Sequence, residues 1–142
     1  FKEYRQTEYP EFDVCSEVLD QRFDLIIANQ VFEHLLWPYR AGRNVWQMLR
    51  APGWFLIATP FLLRIHEGPH DCTRWTETGL RYFLAECGFD LDEIQTDSWG
   101  NKECVIENLE GFVPFRPGVH SLENDPDVPY HVWALAKKCR SE

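Results

Sequence analysis

With 142 residues, 44% of them hydrophobic and 15% aromatic, the chain is long enough for one domain with a single core and too apolar to be disordered. Its 14 Lys and Arg stand against 23 Asp and Glu, giving a net charge of −9 with no basic run, which argues against nucleic acid as a partner because phosphates need clustered cations. The longest apolar stretch, Trp54 to Leu63, is too short to span a bilayer and is interrupted by Pro60, so no membrane role is expected. Nothing resembles a signal peptide, and the five scattered cysteines never form a Cys-x-x-Cys pair. Separate reduced thiols in a cytoplasmic protein are the expectation.

In chain order, Tyr4 to Thr7 and Phe12 to Cys15 are short enough and apolar enough to form two strands. Phe23 to Ala28 ends in an unbroken apolar run, Leu25 to Ala28, which predicts a strand buried on both faces as in a parallel sheet. A helix is predicted from Pro38 to about Arg50. Pro38 suits the first helical position, and Ala41, Val45, Met48 and Leu49 share one face. Pro52-Gly53 ends it, and Trp54 to Thr59 reads as a second buried strand. Leu62 to Arg74 has no period and is long for a connection, which marks it as a functional loop. Thr76 is a candidate N-cap for a helix with Leu80, Phe83, Leu84 and Cys87 on one face and Gly88 as its left-handed terminator. Strands are expected at Leu91 to Ser98 and His131 to Lys137, with the proline-bearing stretch Gly111 to Asp127 as a loop. Strand and helix in alternation argue for an α/β fold with a parallel sheet, closed by an antiparallel pair at one edge.

Two groups of residues invite a chemical reading. Asn29 and Gln30 replace apolar residues at the carboxyl end of a buried strand, where ligands bind in open α/β sheets, and Glu33-His34 follow at once. His34 is a candidate general base, though a histidine that packs and hydrogen-bonds below the site is the favoured reading. His66, His70, Asp71 and Cys72 form the second group. They read as a substrate loop in which His66 or His70 accepts a proton, as a metal site, or as structure, with Asp71 paired to Arg74. The metal reading is disfavoured, because His-x3-His needs a helix and Gly68-Pro69 breaks one, so no metal is expected.

Phe23-Asp24 with the strand behind it, Val31-Phe-Glu-His-Leu35, Met48-Leu-Arg-Ala-Pro-Gly53, Thr59-Pro60, Arg74-Trp-Thr76 and Leu84-Ala-Glu-Cys-Gly-Phe89 occur in an order and spacing that resembles the type-11-like class I S-adenosylmethionine-dependent methyltransferases. The resemblance covers the chain from Glu8 onward. It implies a three-layer α/β sandwich, mostly parallel with an antiparallel C-terminal edge pair, in which residues 1–142 are a partial domain lacking the first strand and the glycine-rich loop.

The resemblance also implies S-adenosylmethionine as cofactor and methyl transfer to a small molecule, with oxygen the preferred acceptor. Glu8 would bind the cofactor ribose, or be a surface residue beside a turn. Asp13, Ser16 and Glu17 are candidates for the adenine, or Asp13 caps a turn. Asn29 and Gln30 would face the methionine end through main-chain groups, and the His66 to Arg74 loop would lie on the acceptor side. A nicotinamide dehydrogenase is disfavoured by the absence of Gly-x-Gly-x-x-Gly. The alternative of another class is a non-catalytic fragment or interaction module. Without a first strand, one edge of the Phe23–Ala28 strand needs cover, either from Phe1 to Glu8 or from a second copy of the chain in a homodimer.

Overall fold

The structure, a computed structural model, describes residues 3–139. Its centre is a four-stranded sheet of β1 (Phe23–Asn29), β2 (Leu49–Pro60), β3 (Ile94–Trp99) and β4 (His131–Lys138), in the spatial order β1-β2-β4-β3. β1 and β2 are parallel, joined through helix α1 (Pro38–Met48), while β4 runs antiparallel to both β2 and β3. Helix α2 (Glu77–Glu86) leads from β2 to β3, and a short helix α3 (Lys102–Glu107) follows β3. The antiparallel edge is the expected one, but the sheet is mixed and not mostly parallel among the described residues, since β1–β2 is the one parallel pairing beside two antiparallel ones. The α3 turn was not expected, and six residues carry too little periodicity to be read in advance.

Both helix ends of α2 follow from the sequence. Thr76 Oγ1 accepts from the Gly79 amide at 3.1 Å, and Gly88 takes φ +115° just beyond the last turn, where a β-carbon would strain the backbone and also press on the Trp46 ring. α1 begins at Pro38 as predicted and stops two residues earlier than expected, because Leu49 has already turned extended to start β2. β2 is therefore longer than the Trp54–Thr59 run.

The core lies between the helices and one face of the sheet. Ile26 and Ala28 of β1, Phe55 and Ile57 of β2, Ile94 of β3, and Val132, Ala134 and Ala136 of β4 share that face in register. They meet Ala41, Val45 and Met48 of α1 and Leu80, Phe83 and Leu84 of α2, most of them under 5% exposed. Phe83 touches the rings of Phe32, Tyr39 and Trp75. α1 and α2 pack against each other and so occupy the same side.

The opposite face carries Leu25, Ile27, Trp54, Leu56, Trp133 and Leu135, none of them fully buried, and Ile27 is 57% exposed. The expected burial of β1 on both faces and the third layer are thus absent among the described residues. An apolar run reports that a strand is apolar on both sides, not that both sides are covered.

The N-terminal strands are also corrected. Residues 3–8 have no regular structure and are exposed, and residues 9–11 and 14–16 form two turns in place of a strand at 12–15. Neither stretch has a neighbouring strand, and backbone groups in a strand need a partner. The segment instead packs through Phe12, Val14, Cys15 and Leu19 beside α1, with Asn44 Nδ2 donating to the Val14 carbonyl at 2.8 Å. Residues 3–8 do not cover the outer edge of β1, which pairs only with β2 among the described residues. Residues 1 and 2 lie outside the described residues.

Candidate functional site

The carboxyl ends of β1 and β2 lie side by side, and the chain leaving each supplies the polar groups. After β1, Gln30 adopts φ 57°, a left-handed conformation uncommon for a side chain of its kind, while its amide bonds to the Ala58 carbonyl at 2.9 Å. The resulting bend sends the chain into a 3₁₀ turn at Phe32–His34. Phe32 packs in the core against Phe55 and Phe83, which anchors the turn and drives Glu33 inward.

Glu33 is completely buried, and neither carboxylate oxygen has a hydrogen-bond partner. Burial pushes its carboxyl up from the ordinary glutamate range, against the opposing pull of its own amide, of His34 and His66 and of Arg74. Two imidazoles stand over it. His34 Nε2 is 3.5 Å and His66 Nε2 3.9 Å from Glu33 Oε1, and the two rings meet edge to face with centroids 5.0 Å apart.

His34 is fixed from its other ring nitrogen, whereas His66 Nδ1 is buried without a hydrogen-bond partner. His34 Nδ1 donates to the His70 carbonyl at 2.6 Å, which leaves Nε2 to face Glu33. His66 Nδ1 lies 3.3 Å from Asp71 Oδ2. Asp71 in turn accepts from the His66 amide at 2.8 Å and is gripped by both terminal nitrogens of Arg74, one of them at 2.7 Å. The Arg74 guanidinium, with the His66 amide, holds the Asp71 carboxyl well below the usual range, at about 2. The loop is tied down a second time where the Cys72 and Thr73 amides donate to the Glu33 carbonyl, at 2.7 and 3.3 Å.

On the β2–β4 side, Gln30 Nε2 lies 3.2 Å from His131 Nδ1, and burial lowers the His131 pKa so that its ring is neutral near pH 7. Thr59 Oγ1, at the end of β2, is buried without a partner.

Of the residues singled out in the sequence, the structure joins His34 and His66 and places Asn29 and Gln30 beside them in the chain. Asn29 is exposed, and Gln30 uses its side chain toward His131 as well as its main chain. His70 is exposed and contributes its main-chain carbonyl. Its imidazole makes no hydrogen bond or ion pair among the described residues. The Asp71–Arg74 pair is the structural arrangement the spacing allowed.

The remaining candidates lie elsewhere. Glu8 sits in an exposed turn where its carbonyl accepts from Phe12, not at the end of a strand. Asp13, Ser16 and Glu17 satisfy one another. Asp13 Oδ1 accepts from the Cys15 amide at 2.9 Å, its Oδ2 from Ser16 Oγ at 2.8 Å, and Glu17 Oε1 from the Asp13 amide at 3.2 Å. The Ser16 hydroxyl, with the Cys15 amide, lowers the Asp13 pKa. These contacts make a capped turn, and they leave the polar atoms committed to one another. Glu33 itself, Thr59 and His131 were not expected in the site. The signal for Glu33 was present: a lone acid between Val31-Phe32 and Leu35-Leu36 is an acid held among apolar neighbours.

No protein-family model and no curated protein matches the chain. Solved structures do. A chain of the Haloferax volcanii complex of the Trm112 methyltransferase activator with a methyltransferase superposes with TM-score 0.61 at 14% identity, over 92% of this chain and 60% of that one. A SAM-dependent methyltransferase from Archaeoglobus fulgidus superposes with TM-score 0.58 at 14% identity, over 89% and 66%. The chain has the class I S-adenosylmethionine-dependent methyltransferase fold. The [4+2]-cyclase SpnF shares it, with TM-score 0.60 at 18% identity, over 92% of this chain and 55% of that one. The chain thus spans roughly three-fifths of the length of these relatives.

Proposed function

We propose that this domain is the acceptor-side part of an S-adenosylmethionine-dependent methyltransferase that acts on a hydroxyl of a small molecule. The observation that carries this reading is the paired carboxyl ends of β1 and β2, with Gln30 strained into the bend and a histidine cluster beside it, in a chain that superposes on solved methyltransferases. In such sheets the crevice at the strand ends receives the ligand. The cofactor would supply an electrophilic methyl on a sulfonium. For a hydroxyl acceptor the proton would have to leave, and this chain's part would be to hold the acceptor in place and take up that proton.

Among the candidate bases His66 is the best placed, being partly exposed, held to Asp71 through its main-chain amide and carried on a loop that is pinned at both ends. Alignment of the reacting atoms supplies most of the acceleration, and the base contributes when the acceptor is a hydroxyl. A fold shared with a cyclase does not fix the reaction, so the cofactor is the first thing to test.

The test is a calorimetric titration of S-adenosylhomocysteine into this chain and into any longer form of the protein. Saturable one-to-one binding in the longer form, with weak or no binding in the 142-residue chain, is the expected result. No binding in either form removes the methyltransferase reading. His66→Ala is expected to lower turnover at saturating cofactor while leaving the affinity for S-adenosylhomocysteine unchanged.

A further inference from the structure

Glu33, His34 and His66 each offer one ligand atom, and the three atoms lie within 4.8 Å of one another. We propose that Glu33 Oε1, His34 Nε2 and His66 Nε2 form a binding site for a single divalent transition-metal ion of the zinc class.

Three observations support this. The first is the state of Glu33. A carboxylate with no exposed surface and no hydrogen bond is costly unless it is neutralised or meets a cation. A protonated Glu33 would donate to one imidazole, and that hydrogen bond would draw the pair to about 2.7 Å. The observed separations of 3.5 and 3.9 Å are too long for it. They leave a space between the three atoms that a bridging ion would fill.

The second is the spacing. Ligand atoms about 2.0–2.1 Å from a tetrahedral zinc ion are about 3.3 Å apart. Two of the three separations are already close to that, and the largest must shorten by about 1.5 Å at most, which small side-chain rotations provide.

The third is the outer shell. A metal-bound histidine characteristically donates its other ring N–H to a carbonyl or carboxylate, which fixes the ring and the tautomer. His34 does so to the His70 carbonyl, and Asp71, held by Arg74, lies 3.3 Å from His66 Nδ1, which has no hydrogen-bond partner as it stands and would gain this one with a small ring rotation. Both Nε2 atoms face Glu33 Oε1.

Two nitrogens and one carboxylate oxygen leave at least one position open for water or substrate, as catalytic zinc sites do. His70 is excluded as a ligand because it enters only through its carbonyl, so the pairing is His34 with His66 and not the His-x3-His of the sequence. The site stands apart from the methyl-transfer reading, since metal binding needs no cofactor. The base role of His66 belongs to the metal-free protein, because an occupied site takes the Nε2 lone pair that a base would use.

The test uses the intact chain freed of metal with a chelator. Zinc chloride is titrated by calorimetry, and cobalt(II) is added separately and followed by visible absorption. One zinc ion per chain is expected. His34→Gln and His66→Gln should each weaken binding at least tenfold, and Asp71→Asn about tenfold through the outer shell. His70→Ala should bind as wild type does. The cobalt form should show weak visible bands without the intense near-ultraviolet band of a thiolate ligand. His66 lies on a loop, so His66→Gln is expected to fold, and far-ultraviolet circular dichroism checks it. Absence of stoichiometric zinc overturns the proposal. So does wild-type affinity in folded His66→Gln, or a thiolate band from Cys72. No S-adenosylhomocysteine binding in either this chain or a longer form, with zinc binding intact, would reject the methyltransferase reading alone.

Discussion

Gly100→Ala is a direct test of how β3 and β4 are joined. Gly100 follows the last residue of β3, and the chain entering β4 crosses directly over it. A β-carbon at this position would stand 2.1 Å from the Tyr130 nitrogen, 2.4 Å from the Val128 oxygen and 2.7 Å from the Pro129 carbonyl carbon. All three are backbone atoms, so no side-chain rotation relieves the clash and the 124–130 segment must move.

Three of the hydrogen bonds that hold that segment run through Trp99 and Gly100. The Tyr130 amide donates to Trp99 at 2.9 Å, the Asp125 amide to Gly100 at 2.8 Å, and the Gly100 amide to Asn124 Oδ1 at 2.9 Å. At about 0.5–1.5 kcal/mol each, less the gain of about 0.4–1 kcal/mol from stiffening the unfolded chain, a net loss of about 2–3 kcal/mol follows. For a chain of this length that is a fall in Tm of roughly 10 °C. Urea and thermal denaturation followed by circular dichroism measure it, with Gly111→Ala as control, since nothing lies within 4 Å of a β-carbon there. The control should match wild type within about 0.5 kcal/mol. A Gly100→Ala protein as stable as the control would refute the close approach.

Asp71→Asn, measured in chelator, should lower stability by about 2–3 kcal/mol, because an amide cannot accept from Arg74 and the His66 amide as the carboxylate does; an unchanged urea midpoint would contradict this. Burial depresses the His131 pKa below its ordinary 6.5, so the unfolded chain binds the proton more tightly and stability present above about pH 6.5 is lost as the pH falls through that value toward the folded one. Urea midpoints at pH 7.5 and 5.5 should therefore differ more in wild type than in His131→Gln, and parallel slopes would show that His131 is not the group responsible. Cys87 is 3% exposed and burial pushes its thiol up to about 12, so iodoacetamide should label Cys72 and Cys139, both exposed, in the native protein and Cys87 only in urea, as read by peptide mass spectrometry.

What was legible in the sequence was whatever rests on local chemistry. Pro38 and Thr76 start their helices, Gly88 ends one, and the Trp54–Thr59 run is a strand because these signals act within a few residues. The strands expected before Cys15 failed because a strand is a statement about its neighbours, and none lies beside them. The site divides in the same way. His34 and His66 were visible as polar residues in suggestive places. Their convergence on Glu33 was not, since it depends on the 3₁₀ turn after Gln30 and on a loop returning from the far end of β2. Glu8 drew attention through a family pattern whose supporting strand is absent here. His131 stands a hundred residues from Gln30, a pairing that only the antiparallel return of β4 creates.

The double tethering of the loop after β2 bears on how this domain can change its specificity. His66 closes onto Asp71, while Cys72 and Thr73 close onto Glu33, so Glu67, Gly68 and Pro69 form an exposed tip outside the braced frame. Insertions and exchanges at those three positions can reshape the mouth of the site while the histidines keep their bearings. A library confined to the tip would sample new ligands on an unaltered chemical base, and drift during evolution should accumulate there first.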